Sequence, residues 1–153
     1  MRKLIAAIAL TVMACGGGDR DAQAQQVTPA GDTPAAEATE GAVHEVQMVL
    51  TDAGEYKYIP DELTIKVGDT VRWTNVSGGP HNVQFTAGEV PDGAEEVLNA
   101  AMANRMGPMN GQLLLAPNAV YEVSFAGAPV GQYGYVCTPH VMLGMTASLT
   151  VEN

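Results

Sequence analysis

Positive charge is scarce in this sequence: its 153 residues hold 7 Lys and Arg against 17 Asp and Glu, a formal net charge of −10. That balance opposes nucleic-acid binding, which needs a basic face. Long apolar runs are also missing. The stretch Leu4–Met13 extends only ten residues, whereas a membrane-spanning helix needs about 20. With two cysteines, Cys15 and Cys137, and three histidines, at most one disulfide can form and few metal-binding or nucleophilic constellations are available. Between Gly16 and Ala42 there is no aromatic residue, only Gly, Ala, Gln, Thr, Pro, acid and little else. Such a segment buries too little apolar surface to offset its ordering entropy. Residues 15–42 therefore read as a flexible tether, with a random-coil span on the order of 30 Å. No internal repeat is visible.

What the chain does have is concentrated near its end, in Cys137-Thr138-Pro139-His140-Val141-Met142-Leu143-Gly144-Met145, with His81 upstream in Pro80-His81-Asn82-Val83. Together His81, Cys137, His140 and Met145 offer two imidazoles, one thiolate and one thioether. Two His and one Cys in a near-trigonal plane with a weak axial Met form the ligand set of a mononuclear blue copper site. Soft sulfur suits Cu(I) and imidazole accepts Cu(II), so such a site passes single electrons with little rearrangement. Other readings fit less well. A structural zinc site recruits Cys and His without a thioether. A nucleophilic Cys needs an oriented base and a cleft, and the Cys137–His140 loop offers no orienting carboxylate or amide.

The combination of Cys-x2-His, a Met five residues on, a preceding strand-like Gln132–Val136 and a separate His81 resembles the cupredoxins, the plastocyanin and azurin family. Val67-Gly68-Asp69-Thr70-Val71-Arg72-Trp73-Thr74-Asn75 is similar to that family's usual hairpin, and the resemblance covers residues 43–153. It implies an all-β Greek-key β-sandwich holding one copper. It also implies that Asn82 ties the two ligand loops together, that amides near Asn82 bond the Cys137 thiolate, and that Thr138 braces the loop. Only His44 is then left over, too little for a catalytic copper, so the expectation is an electron carrier and no enzyme.

The amino terminus adds a location. Met1-Arg2-Lys3 and the apolar run have the layout of a signal peptide over residues 1–14, and Val12-Met13-Ala14-Cys15-Gly16 resembles a bacterial lipobox with Cys15 as the lipidated residue. Cleavage after Ala22-Gln23-Ala24 is the competing reading, set across Gly16-Gly17-Gly18 and three charges. With Cys15 lipidated and Cys137 on the metal, no pair remains for a disulfide. These readings place the protein on the periplasmic side of the cell envelope, anchored to a membrane by lipid. Without Arg2 and Lys3 the chain carries 5 basic and 17 acidic residues, formally about −12. That charge suits steering toward a basic redox partner such as a c-type cytochrome, or docking on a membrane oxidoreductase, and equally suits plain solubility. A monomer is expected.

Period-two alternation marks the strands: Val46, Met48 and Leu50; Leu63, Ile65 and Val67; Val71 and Trp73; Val83 and Phe85; Val123 and Phe125; Leu149 and Val151. Turn residues separate them, the pattern of a β-sandwich. Ala94–Met106 breaks it. Its Ala, Leu, Glu and Met favour helix, Pro91-Asp92-Gly93 gives a start and Gly107-Pro108 a stop, so a helical excursion of about three turns is predicted. Met102, Met106 and Met109 gather there. They read either as adaptable apolar fillers or as a second, thioether-rich Cu(I) site, which would make the protein a copper delivery or storage lipoprotein. Tyr133 and Tyr135 share one side of their strand and read as core or as a second electron path. His140, collared by Pro139, Val141, Met142 and Leu143, is the expected electron port.

Overall fold

The computed structural model describes residues 41–153. The expected signal peptide, Cys15 and all but the last two residues of the expected tether lie outside the described residues. Eight strands follow in order: β1 Val43–Leu50, β2 Tyr56–Ile59, β3 Glu62–Lys66, β4 Thr70–Asn75, β5 Gln84–Phe85, β6 Val120–Ser124, β7 Gly131–Val136 and β8 Thr146–Glu152. They form two four-stranded sheets, ordered β2-β1-β4-β6 and β3-β8-β7-β5. Neighbours pair antiparallel except for β1 with β4 and β3 with β8, which run parallel. A crossover between sheets separates each parallel pair, as a Greek-key sandwich requires.

The alternating residues face inward as their period dictates. Val46, Met48, Val71, Trp73, Val123 and Phe125 meet Ile65, Phe85, Tyr133, Tyr135, Leu149 and Val151, all at most 2% exposed. Full burial of such side chains contributes roughly 1.5–3 kcal/mol each. Trp73 lies edge-on to Phe85 at 6.2 Å and to Tyr135 at 5.6 Å, the geometry that aromatic quadrupoles favour. Two members of the predicted stripes fall outside the core: Leu50 and Val67, at the ends of their runs, are 38% and 39% exposed. Tyr133 and Tyr135 belong to the core, and burial pushes the Tyr135 hydroxyl up to about 12.

One helix, α1, covers Ala94–Ala101, shorter than the predicted Ala94–Met106. It begins at Gly93, whose φ of 81° is open to glycine at little cost. It ends where Met102 turns extended to reach the core, its N–H still bonded to the Leu98 carbonyl. The Asn99 side chain then accepts from Met109 N–H at 2.8 Å and from Arg105 Nη1 at 2.9 Å, drawing the following residues into a loop where helix propensity had predicted another turn. Among the described residues, no helix is long and apolar enough to cross a membrane.

His44, the second residue of β1, meets no ligand group. Its Nε2 lies 2.7 Å from Asp69 Oδ2, and Asp69 also accepts the backbone N–H groups of Lys66 and Ala42 at 2.9 and 2.8 Å. The Lys66 amide first, and His44 second, hold the Asp69 carboxyl below its usual range. This cluster fastens the start of β1 to the β3–β4 turn.

Candidate metal centre

The ligand residues reach one end of the sandwich by two routes. His81 follows β4 and is held by a two-bond bridge to Leu114: His81 N–H donates to the Leu114 carbonyl at 3.2 Å, and Leu114 N–H returns at 2.7 Å. Cys137 directly follows β7. From there the loop folds on itself, with His140 N–H donating to the Cys137 carbonyl at 3.0 Å and Leu143 N–H to the His140 carbonyl at 2.9 Å. Gly144, at φ 83°, reverses the chain after the single turn of 3-10 helix at Val141–Leu143, the role for which an unsubstituted Cα is suited. Cys137 N–H donates to the Met145 carbonyl at 3.1 Å, closing the loop. Met145, whose backbone is thus held beside that of Cys137, is wholly buried.

Three donor atoms converge. His81 Nδ1 and His140 Nδ1 lie 3.5 and 3.4 Å from Cys137 Sγ and 3.2 Å from each other. A triangle with such edges has its centre about 2 Å from each corner, the ordinary bond length from a first-row metal to an imidazole nitrogen. His81 Nε2 lies 2.9 Å from the Ser77 carbonyl. That bond needs the proton on Nε2 and leaves the Nδ1 lone pair facing the sulfur, the arrangement by which an outer partner orients a metal-binding imidazole. The donor set therefore fits a metal that accepts nitrogen and soft sulfur together.

The surroundings favour neutral, deprotonatable ligands. Burial lowers both His81 and His140 below the usual histidine range, and for His140 the nearby His81 adds to the effect. Burial pushes the Cys137 thiol up, opposed by the backbone amides of Asn82 and His140 and by the Tyr58 hydroxyl. A metal must displace the thiol proton to bind, so loading depends on pH. Asn82 spans the two routes. Its Oδ1 accepts Thr138 N–H at 2.8 Å, and its Nδ2 donates to Thr138 Oγ1 at 3.1 Å. Thr138 is the near end of that bridge.

Strand β2, absent from the predicted stripes, supplies a wall to the site. Tyr56 lies flat on the His140 ring, with centroids 3.8 Å apart and planes 13° apart, and edge-on to His81 at 6.1 Å. His140 is consequently only 8% exposed, less open than an unobstructed port would be. Tyr58, two residues along the same face, donates to the Asn82 carbonyl at 2.7 Å. Their period-two spacing, in a chain with five Tyr, two Phe and one Trp, was the available signal. Around the site, Val141, Met142 and Leu143 are 38%, 92% and 62% exposed.

Fold and site together define a copper-binding cupredoxin, and comparison with known proteins agrees. Residues 43–152 match the family described as copper binding proteins of the plastocyanin/azurin family. A plastocyanin of Scenedesmus fuscus is 40% identical over 101 residues, covering 66% of this chain and 92% of that relative. A plastocyanin of Synechococcus is 41% identical over 102 residues, with 67% and 68% covered. In three dimensions, a mutant fern plastocyanin superposes with a TM-score of 0.54 at 29% identity, covering 71% of this chain and 99% of the fern protein. The chain belongs to the plastocyanin/azurin family of copper-binding proteins, whose chemistry is copper-based electron transfer.

Proposed function

We propose that this protein is an exported one-electron carrier, held at a membrane by lipid on Cys15 and exchanging electrons with other redox proteins at the His140 end. The convergence of His81 Nδ1, His140 Nδ1 and Cys137 Sγ to within 3.5 Å carries the reading. Copper held by these three residues, with Met145 alongside, would alternate between Cu(I) and Cu(II) and so take up and release one electron.

The chain's own residues set the terms. Ser77 fixes the His81 tautomer, Asn82 and Thr138 lock one ligand loop to the other, and the closed Cys137–Met145 loop keeps water from the sulfur, which is wholly buried. Ligands held this firmly move little when the charge changes. Val141, Met142 and Leu143 give the His140 end an exposed apolar collar, suited to a small, short-lived contact. The acidic balance of the chain suits a basic partner, such as a c-type cytochrome, or a membrane oxidoreductase. The delivery or storage reading has less behind it. Met102 and Met109 are 4% and 3% exposed and pack in the core, while Met106 is 50% exposed, so the three do not form one open group of thioethers.

Copper stoichiometry with a visible spectrum tests the carrier reading. One copper and an intense blue band that bleaches reversibly on reduction are expected. A colourless protein binding several Cu(I) ions would overturn it in favour of delivery. For the anchor, Cys15→Ala should abolish incorporation of labelled fatty acid and leave the copper domain unchanged; undiminished labelling would remove Cys15 from the proposal.

A further inference from the structure

Asn82 is the junction of the metal centre, and it is 1% exposed. Its Oδ1 holds Thr138 N–H, and its Nδ2 holds both Thr138 Oγ1 and, at 2.7 Å, Asn110 Oδ1. Its backbone amide faces the Cys137 sulfur. One polar group remains, the carbonyl, and the Tyr58 hydroxyl fills it at 2.7 Å. Tyr58 is 1% exposed, so no bulk water competes for that bond. Its ring is wedged edge-on against Tyr135 at 4.8 Å, two residues before Cys137. An edge strand of one sheet thus reaches the point where the ligand-bearing segments of the other are joined.

We propose that Tyr58 is a positioning residue for the copper site: its hydroxyl fixes the Asn82 carbonyl and so holds the His81 and Cys137–Thr138 segments together before metal arrives. This follows from connectivity. Asn82 is hydrogen-bonded to both Tyr58 and Thr138, and with its carbonyl unpartnered it shifts more readily, carrying Oδ1 away from Thr138 N–H. Outer hydrogen bonds of this kind orient the groups around a metal site. A phenylalanine at this position would fill the same volume without the oxygen.

The test is Tyr58→Phe, first in the metal-free protein, so that its failure is distinct from a failure of the copper reading. Amide exchange of Thr138 should accelerate about tenfold, the worth of one net hydrogen bond, while the Trp73 amide in β4 changes far less. In the copper-loaded variant the blue band should persist, because every ligand residue remains. Equal acceleration at Thr138 and Trp73 would reduce Tyr58 to general packing and overturn the proposal. The unaltered protein gives a measurement that does not depend on the variant folding. A slowly exchanging Tyr58 hydroxyl proton, close in space to Asn82 by NMR, is expected, and a hydroxyl proton in fast exchange with water would overturn the proposal.

Discussion

Two parts of the fold meet at His140, and only one of them carries metal-binding atoms. The loop Cys137–Met145 brings three of the four proposed ligand residues within nine consecutive positions, closed by its own backbone hydrogen bonds. Strand β2 brings none, yet Tyr56 covers the His140 ring and Tyr58 holds Asn82. Donor chemistry is restricted to a few residue types, so a ligand loop announces itself by composition and spacing. A supporting wall needs only shape and a well-placed hydroxyl, which many residues supply in many places. Substitutions in the two parts should therefore differ in kind: those at the loop's donor atoms remove the centre, and those in the strand alter its properties.

The largest effect is expected at the sulfur. Cys137→Ser exchanges a soft charge-transfer donor for a hard alcohol, so the blue band should vanish and Cu(I) affinity should collapse while circular dichroism still reports a folded sandwich. A variant that stayed blue would mean that the sulfur does not bind the metal and would remove the distinction between loop and strand.

Acid should act next most strongly, again through the ligands. His81 and His140 are both held below the usual range, mainly by burial. The unfolded chain therefore takes up protons near pH 6.5 that the folded metal-free domain refuses until lower pH. Stability contributed by the neutral rings is present above that range and declines as pH falls toward the folded values. Thermal unfolding of the metal-free domain should show a lower midpoint at pH 5 than at pH 7. His81→Asn should shrink the difference, and an identical slope in that variant would place the sensitivity elsewhere.

Much of this architecture was legible in the sequence, for identifiable reasons. Val71 and Trp73, Val83 and Phe85, Leu149 and Val151 alternate because a strand buries every second residue, and all six are buried. The convergence of His81 with Cys137 and His140 could be read because His and Cys are so few. The end of α1 was not legible. Local propensity favoured helix through Met106, but burial of Met102 and the bonds of the Asn99 side chain decided the matter, and both are tertiary facts. The covering of His140 was hidden for a similar reason. Tyr56 is far from His140 in sequence, and nothing local marks a tyrosine on an edge strand as the cap of a distant imidazole. His44 remained unassigned until the fold brought Asp69 beside it.

A smaller effect is expected from Tyr56→Leu, which tests the wall directly. Loss of the stack should lower stability by about 0.5–1.5 kcal/mol, readable as a shift of the denaturation midpoint. It should also expose the His140 face. Since burial is the leading cause of that ring's depressed protonation, an NMR titration of the metal-free variant should find His140 closer to the ordinary histidine range. His81, which meets Tyr56 only edge-on at 6.1 Å, should move less. Equal movement of both rings would mean that Tyr56 shields the site as a whole and does not cap one ligand.

The smallest effect on the domain itself should come from Leu143→Glu, on the far rim of the loop. Leu143 is 62% exposed and contributes no donor atom, so stability should stay within about 0.5 kcal/mol, as for most surface changes, and the visible spectrum should not change. Its effect should appear only when a partner arrives. A carboxylate in the collar is desolvated on docking, a cost that a transient contact cannot readily offset, so electron exchange with a basic c-type cytochrome should slow in stopped-flow measurements. Added salt should slow the unaltered protein as well, by screening its acidic charge. If exchange ignored the Leu143 substitution but slowed on Tyr56→Leu, electrons would enter over the tyrosine wall, and the strand without ligands would be the functional face.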